Sequence, residues 1–146
     1  MLEAALQAGF LSVGMNVRLL GPLPTPGVAY LTKSFRNQCG VVISASHNDY
    51  HDNGIKIFDN YGVKIDRKIE MMIENILSEE ITSLPSVQIG KAKRFDESGP
   101  RYVEFCKSTV PDEISFTNLR IVLDCANGAS YKAVSYTHLT LPTNSN

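Results

Sequence analysis

The chain has 146 residues, of which 43% are hydrophobic and 20% are charged, the composition of an ordinary soluble globular protein rather than of a disordered one. Its net charge of −1 and the lack of a long basic run leave no electrostatic footprint for nucleic acid or an anionic membrane, so neither partner is expected. No apolar stretch approaches the roughly 18 residues that cross a bilayer, and the N-terminus lacks the charged-then-apolar layout of a signal peptide, so we expect a cytoplasmic location.

The three cysteines bear on the redox environment. Cys39, Cys106 and Cys125 are odd in number and widely spaced, and each lies in or near an apolar segment. This pattern favours buried free thiols over disulfides or a zinc site.

The first predicted element is an amphipathic helix over residues 2–13. Leu2, Leu6 and Phe10 recur at helical spacing, and Gly14 follows as a stop signal. No Ser, Thr, Asp or Asn caps this helix, because Met1 stands directly before its apolar face. We therefore expect that the sequence begins inside a longer domain.

A strand, a stiff loop and a second helix are predicted next. Residues 16–20 have the pattern of a short strand, and residues 21–26 form a loop stiffened by three prolines. Thr25 is placed to cap a helix over residues 27–35, with Pro26 at its first position, where a missing N–H costs nothing.

Two strands flank the most informative part of the chain. Val41-Val-Ile43 predicts a buried strand, and Ile55-Lys-Ile-Phe58 predicts another one after Asn53-Gly54. Strand, helix and strand thus alternate over short connections, which indicates a layered α/β fold rather than a helical bundle.

The later elements are predicted from weaker patterns. Residues 59–62 form a turn, and a helix that begins near Asp66 has a continuous apolar stripe, in which Met72 is read as a core residue rather than a ligand. Residues 78–98 predict a linker or loop with a short strand near residues 91–95. The remaining expected elements are a helix around residues 102–106 and a strand over residues 119–123.

A compact polar loop lies between the two flanking strands and reads Ser44-Ala-Ser-His-Asn48, followed by Asp52-Asn-Gly-Ile-Lys56. Loops at strand ends are where open α/β sheets bind ligands. A serine hydroxyl is a poor nucleophile at neutral pH and needs a base and a positive charge, for which His47 and Lys56 are the candidates nearest to Ser46. On their own, these residues are more typical of an ordinary polar turn.

This loop closely resembles the phosphoserine loop of the α-D-phosphohexomutases, and its Ser-Ala-Ser form is most similar to the bacterial branch that acts on glucosamine phosphates. Three further segments resemble that family in the same order, so that the resemblance covers residues 1 to about 133. These segments are Leu20-Gly-Pro-Leu-Pro-Thr-Pro-Gly-Val-Ala-Tyr-Leu31, Tyr102-Val-Glu-Phe-Cys-Lys-Ser108 and Ile121-Val-Leu-Asp-Cys-Ala-Asn-Gly-Ala129.

The resemblance implies an α/β fold, namely a layered α/β/α phosphohexomutase-type domain with a mixed sheet, incomplete at both ends. Residues 1–97 would form part of the first domain of the family, which contains the phosphoserine loop. Residues 98–133 would begin the second domain.

The resemblance also implies a phosphosugar mutase that converts glucosamine 6-phosphate to glucosamine 1-phosphate through a phosphoserine and a bisphosphate, for cell-wall precursor synthesis. Ser46 matches the phosphoserine, His47 would contact the phosphate or the substrate, and Lys56 would assist proton transfer and neutralise charge. Asn48 would contact the substrate, a small hexosamine phosphate. Mg²⁺ would bind the phosphate on Ser46, and a molecule of the glucosamine 1,6-bisphosphate type would be the activator. No oligomeric state is predicted.

The sequence departs from the family pattern in several places. It lacks the Asp-Gly-Asp-Gly-Asp magnesium loop, the sugar-recognition segment and the Arg-Ser-Gly-Thr phosphate-binding loop, so this chain alone is expected to be inactive. Asp49 stands where the family usually has proline, which predicts a less rigid loop. His51 is interpreted as a surface residue, and Asp124 and Asn127 as turn residues rather than metal ligands.

Residues 134–146 differ in character from the rest of the chain. They contain no Asp, Glu, Lys or Arg, and they resemble the translation of a sequencing-library adapter, so we expect a non-native tail. A genuine flexible tail is the alternative, and His138 receives no role in either case.

Other functions remain open at this point. A related mutase that acts on mannose or glucose phosphates would differ in the sugar-recognition segment. A non-catalytic phosphate-binding or interaction module would keep the serine loop without turnover. A serine hydrolase is disfavoured, because the sequence has no Gly-x-Ser-x-Gly elbow between a strand and a helix.

Overall fold

The computed structural model describes residues 1–125 and 128–135. Asn127, His138 and most of the predicted tail, residues 136–146, lie outside these ranges. In chain order the elements are α1 (Leu2–Ser12), β1 (Val17–Leu19), α2 (Thr25–Ser34), β2 (Gly40–Ser44), β3 (Gly54–Phe58), α3 (Arg67–Ile76), β4 (Ala92–Arg94), α4 (Ser98–Ser108) and α5 (Tyr131–Ser135).

The four strands of the described ranges form two small sheets, each of two strands. In the first, β1 runs parallel to β4, with Arg18 opposite Lys93. In the second, β2 and β3 form an antiparallel hairpin whose register runs from Gly40 opposite Phe58 to Ser44 opposite Gly54. The predicted α/β class with both kinds of strand pairing is therefore confirmed, although the pairs lie in separate sheets.

The end of α1 forms as the sequence predicts. Gly14 has a φ of +83°, a backbone conformation that glycine adopts without a Cβ clash. Its N–H donates to the carbonyl of Leu11 at 3.0 Å, and the N–H of Met15 donates to the carbonyl of Phe10 at 3.0 Å. These two bonds are the Schellman pattern that ends a helix and satisfies its last carbonyls.

The start of α2 differs from the prediction. The N-cap is Pro24, and Thr25 is already the first helical residue, so its side chain does not cap the helix. Because Pro26 still lies within the first turn, its missing N–H is tolerated there.

The core lies between α2 and the β2–β3 hairpin, where the buried side chains are apolar. They are Leu23, Val28, Leu31, Val42 and Phe58. A Cβ on Gly40 would collide with the Oγ1 of Thr32, so the backbone of β2 approaches α2 as closely as only a glycine allows. Thr32 is buried too, and its hydroxyl donates to the Val28 carbonyl at 2.8 Å.

The helix α4 also packs against α2. Val103 is buried, and the rings of Tyr30 and Phe105 stack with centroids 4.0 Å apart. The buried Ser98 hydroxyl donates to the carbonyl of Leu20 at 2.7 Å. Burial and, to a smaller extent, the thiol of Cys106 raise the pKa of Tyr102. The domain boundary expected between residues 97 and 98 stays a prediction.

The segment between α3 and β4 returns along the first helix and strand. The N–H groups of Leu84 and Gly90 donate to the carbonyls of Ser12 and Leu11, each at 2.8 Å. The N–H of Lys91 donates to Oδ1 of Asn16, also at 2.8 Å. The predicted loop thus leads directly into β4, the strand that the sequence places near residues 91–95.

Two predictions about the second half are wrong. Residues 119–123 form no strand, and Val122 is fully exposed, because within the described ranges no strand lies beside this segment to pair with it. The apolar stripe of α3 is not core either, since none of its residues is buried.

The cysteines are free, as predicted, but they are less buried than expected. Cys39 and Cys125 are half-buried, and Cys106 is exposed on α4. Partial burial raises the pKa of the Cys39 thiol, because it disfavours the thiolate. Within the part of the chain that the structure describes, no helix has both the length and the apolar character needed to cross a bilayer.

Candidate functional site

The candidate site is the loop of residues 45–53, which joins the two strands of the hairpin. Its base is the last strand pair, Ser44 opposite Gly54. The other end of the hairpin is fixed by the close approach of Gly40 to Thr32 and by the burial of Phe58. Residues 46–53 of the loop are exposed. The two strands that carry the loop pack against the core through Val42 and Phe58.

Ser46 has an unusual backbone conformation at the start of this loop. Its φ is +59°, a region that costs a residue with a Cβ on the order of 1–2 kcal/mol. The hydroxyl oxygen of Ser44 accepts the N–H of Ser46 at 2.9 Å and so stabilises this conformation. The Ser46 side chain is exposed to solvent. Strained backbone of this kind occurs often at functional sites.

Ser44 is therefore a site residue to which the sequence interpretation gave no role beyond its place in the polar loop. The available signal was the spacing of two residues between the serines, because a Ser hydroxyl can bond a backbone N–H two positions later. Only the structure shows that this bond is made and that it acts on Ser46.

His47 lies beside the Ser46 hydroxyl. Its Nδ1 atom is 3.3 Å from the Oγ atom of Ser46, which is within hydrogen-bonding distance. An unprotonated Nδ1 accepts the hydroxyl proton, whereas a protonated Nδ1 donates to the oxygen. The structure thus brings together two of the predicted residues in the geometry of a nucleophile and an adjacent base or donor.

The rest of the loop consists of two consecutive tight turns. The N–H of Asn48 donates to the carbonyl of Ala45 at 3.0 Å, and the N–H of Asp52 donates to the carbonyl of Asp49 at 2.9 Å. The side-chain amide of Asn53 donates to the carbonyl of Tyr50. Backbone hydrogen bonds therefore shape the loop around Asp49, the residue that stands where the family usually has proline. The lower rigidity that this difference predicts stays a prediction.

The predicted surface position of His51 is confirmed. Its side chain is 64% exposed, and Nε2 lies 3.9 Å from a carboxylate oxygen of Asp52. The Tyr50 and His51 rings are in edge contact, with centroids 5.5 Å apart. Asn48 is also exposed, and its backbone N–H closes the first turn.

Lys56 lies on β3, opposite Val42. Alternate residues of a strand share a face, so Lys56 is on the same face of the hairpin as Ser44, at a distance of about 7 Å along the strand. Lys56 is half-buried, and no carboxylate of the described residues forms an ion pair with it. The same face carries Val42 and Phe58, whose side chains are buried against the core.

A complete magnesium site does not fit the described residues. Among residues 1–125 and 128–135, no group of three or more His, Cys, Asp or Glu side chains could hold a metal ion. A phosphate on Ser46 would supply one oxygen ligand, but Mg²⁺ needs near-octahedral oxygen coordination. The interpretation of Asp124 as a turn residue stays a prediction.

Comparison with known proteins adds two findings. A family model described as phosphoglucomutase/phosphomannomutase, alpha/beta/alpha domain I, matches residues 1–83. The phosphoglucosamine mutase of Chromobacterium violaceum is 56% identical over 131 residues, which are 90% of this chain and 29% of that protein. The phosphoglucosamine mutases of Cupriavidus metallidurans and Vibrio vulnificus are 56% and 53% identical over the same shares. The chain thus spans less than a third of the length of these curated relatives.

Proposed function

Because the chain belongs to the phosphoglucomutase/phosphomannomutase family, we propose that it is the phosphoserine-bearing segment of a phosphosugar mutase. The resemblance to the α-D-phosphohexomutases that the loop motif predicted is confirmed by the family model and by these relatives. The activity belongs to a protein of the relatives' length, of which this chain supplies the nucleophile.

The proposed reaction moves a phosphoryl group between Ser46 and a sugar phosphate. The bond from phosphorus to the Ser46 oxygen breaks as a sugar hydroxyl oxygen bonds to phosphorus; the sugar hydroxyl loses its proton to a nearby base, and the Ser46 oxygen takes up a proton. The bisphosphate then reorients, the Ser46 oxygen loses its proton and bonds to the other phosphorus, and the bond from that phosphorus to its sugar oxygen breaks as the sugar oxygen takes up the proton. The sugar phosphate leaves as its isomer, and the serine is phosphorylated again.

The observation that supports Ser46 in this role is that a hydrogen bond fixes its backbone while its side chain is exposed to solvent. The bond from Ser44 fixes the backbone, so the hydroxyl oxygen is presented to solvent beside His47 at 3.3 Å. In the proposal His47 contacts the phosphate, and Lys56 neutralises its charge and assists proton transfer. Asn48 contacts the sugar phosphate from the exposed edge of the loop. Positioning and charge neutralisation are the main contributions that a protein makes to phosphoryl transfer.

The magnesium ion implied by the family needs ligands that the described residues do not provide. We also infer a bisphosphate activator, because a serine that has lost its phosphate cannot begin the cycle. A bisphosphate of the same sugar would donate the missing phosphoryl group.

The cytoplasmic location expected from the sequence stays a prediction.

We infer glucosamine phosphate as the substrate, since the relatives at 52–56% identity are phosphoglucosamine mutases. The product, glucosamine 1-phosphate, would serve the synthesis of cell-wall precursors. Mannose and glucose phosphates are the alternative substrates, because the family model is described by the phosphoglucomutase and phosphomannomutase activities.

A chimera tests the proposal in a full-length context. The 131 matching residues of the Chromobacterium violaceum enzyme are replaced by those of this chain, and the interconversion of glucosamine 6-phosphate and glucosamine 1-phosphate is measured. We expect turnover, and we expect Ser46→Ala to abolish both turnover and the phosphoryl group that mass spectrometry detects on the loop peptide.

The control is Ser34→Ala, at an exposed serine at the end of α2, which should leave turnover unchanged. A folded chimera that turns over none of the three sugar phosphates would contradict the mutase proposal. In that case a non-catalytic phosphate-binding module becomes the better interpretation of the loop.

A further inference from the structure

An asparagine followed by a glycine lies where the candidate loop meets β3. Asn53 and Gly54 are both exposed, and Gly54 is the first residue of the strand. Asparagine is a thermolabile residue, because the backbone nitrogen that follows it can attack its side-chain amide. A glycine in the next position has no Cβ to crowd that nitrogen, so this pair is especially reactive.

The surroundings of the Gly54 nitrogen leave room for such an attack. The atom nearest to a Cβ built on Gly54 is the carbonyl oxygen of Ser44 at 3.8 Å, so no side chain from elsewhere in the chain crowds this position. The pair of Ser44 and Gly54 is the last one of the hairpin. Terminal pairs open locally at little cost in free energy, so the nitrogen becomes accessible while the rest of the hairpin stays paired.

One hydrogen bond holds the side chain that would react. The amide nitrogen of Asn53 donates to the carbonyl of Tyr50, at the exposed tip of the loop. A single exposed hydrogen bond stabilises its donor only modestly, because water replaces the partner when the bond opens. This bond slows the attack on the Asn53 amide but does not prevent it.

We propose that Asn53 is a site of self-modification, where the asparagine converts to aspartate and isoaspartate and the loop is thereby disabled. The Gly54 nitrogen bonds to Cγ of Asn53 and loses its proton, and the side-chain nitrogen takes up a proton and leaves as ammonia. Water then opens the cyclic imide by breaking one of its two bonds to the Gly54 nitrogen. Attack at Cγ gives aspartate, and attack at the main-chain carbonyl carbon gives isoaspartate, in which the main chain runs through Cγ.

The effect on the loop follows from the position of residue 53 directly before β3. Isoaspartate adds one carbon to the main chain, so it displaces the pairing of Gly54 with Ser44. The Ser44 hydroxyl accepts the N–H of Ser46, and a displaced Ser44 no longer holds Ser46 beside His47. This effect rests on the phosphoserine role proposed for Ser46, whereas the modification itself does not.

Peptide mapping of the incubated chain tests the modification. The chain is held in neutral to mildly basic buffer, and mass spectrometry measures the replacement of NH₂ by OH at each asparagine. Asn60 is the matched control, because it is exposed beyond the other end of β3 but is followed by Tyr61. The modified fraction should grow several-fold faster at Asn53 than at Asn60. Equal rates, or an Asn53 that stays intact, would overturn the proposal.

The glycine variant separates the reaction from the fold. Gly54→Ala places a methyl group beside the attacking nitrogen and should slow the modification of Asn53 several-fold. Its circular dichroism spectrum should be unchanged, because the added Cβ makes only an ordinary contact. An unchanged rate of modification in this folded variant would show that attack by the residue 54 nitrogen is not the route.

An incubated chimera tests the effect on the loop. Its turnover should fall in proportion to the isoaspartate at residue 53, which chromatography separates from aspartate, and the Gly54→Ala chimera should keep its turnover longer. An isoaspartyl loop in fully active enzyme would overturn the effect on Ser46. The peptide map gives its result even if the chimera has no turnover, so failure of the mutase proposal and failure of this inference are distinguishable.

Discussion

At the scale of single residues, the hydrogen bond from the Ser44 hydroxyl to the Ser46 N–H is the feature that joins local geometry to chemistry. Ser46 pays a conformational cost at a φ of +59°, and a net hydrogen bond contributes about 1 kcal/mol toward offsetting it. Without that bond the loop populates other conformations, in which the Ser46 oxygen no longer lies beside His47.

We therefore predict that Ser44→Ala lowers the turnover of the chimera by about five-fold, since the loss of about 1 kcal/mol corresponds to that factor. The KM should change less than kcat, because Ser44 holds the nucleophile in place. Ser44→Thr keeps a hydroxyl at the same position and should restore most of the rate. A Thr variant as slow as the Ala variant would show that the hydroxyl is not the group that matters.

The second residue-scale prediction concerns Lys56. Its place on the Ser44 face of the hairpin, without a carboxylate partner among the described side chains, suits an ammonium that meets a phosphate only when one is bound. Lys56→Met in the chimera should lower kcat more than it raises KM, because charge builds up most in the transition state.

The control for Lys56 is Lys93→Met, at an exposed lysine on β4, which should leave both constants unchanged. If Lys56→Met changed KM alone, the residue would only help to bind the sugar phosphate.

At the scale of elements, the close approach of β2 to α2 fixes the strand that leads into the loop. A Cβ on Gly40 meets the Oγ1 of Thr32, a buried atom already bonded to the Val28 carbonyl. Gly40→Ala should therefore lower the free energy of unfolding by about 1–3 kcal/mol, because the two elements must move apart. Urea unfolding followed by circular dichroism measures this loss.

Gly54→Ala provides the comparison at the other end of the hairpin. The nearest atom to a Cβ on Gly54 is the Ser44 carbonyl oxygen at 3.8 Å, an ordinary contact. The Gly54→Ala substitution should change the free energy of unfolding by less than about 0.5 kcal/mol. Equal losses at the two glycines would show that crowding against Thr32 does not fix the hairpin.

Sequence patterns correctly predicted the helix end and the turn that depend on local interactions. The stop at Gly14 and the turn closed by Asp59, whose carboxylate accepts the N–H groups of Tyr61 and Val63, each depend on a few neighbouring residues. The strand expected over residues 119–123 depends on a partner strand, and the apolar pattern alone does not provide one. Ser46 and His47 were found from the motif, whereas the strained φ of Ser46 was visible only in three dimensions.

At the scale of the whole molecule, the described chain buries few large apolar side chains. Those with little exposure are Leu23, Val28, Leu31, Val42, Phe58 and Val103. Many others remain exposed, on α3 and along residues 110–123. Since apolar burial is the main favourable contribution to folding, the balance against conformational entropy is expected to be narrow.

We predict that the isolated chain unfolds with a free energy below about 5 kcal/mol, under the range that is typical of native domains. It should also bind a hydrophobic dye such as ANS, because apolar side chains are accessible in the folded state. Urea titration measures the free energy of unfolding. Because the chain has no tryptophan, far-UV circular dichroism and tyrosine fluorescence are the suitable signals.

The same 131 residues placed in the chimera provide the comparison, because the rest of the relative is then present to cover these surfaces. Dye binding per chain should fall in the chimera, and unfolding should become steeper in urea, since more surface is exposed on unfolding a larger core. Met72→Glu in the isolated chain should lower dye binding only in part, because the apolar residues beyond α3 stay exposed. A cooperative transition with a free energy near 10 kcal/mol and no dye binding would mean that the small core around Leu31 is sufficient by itself.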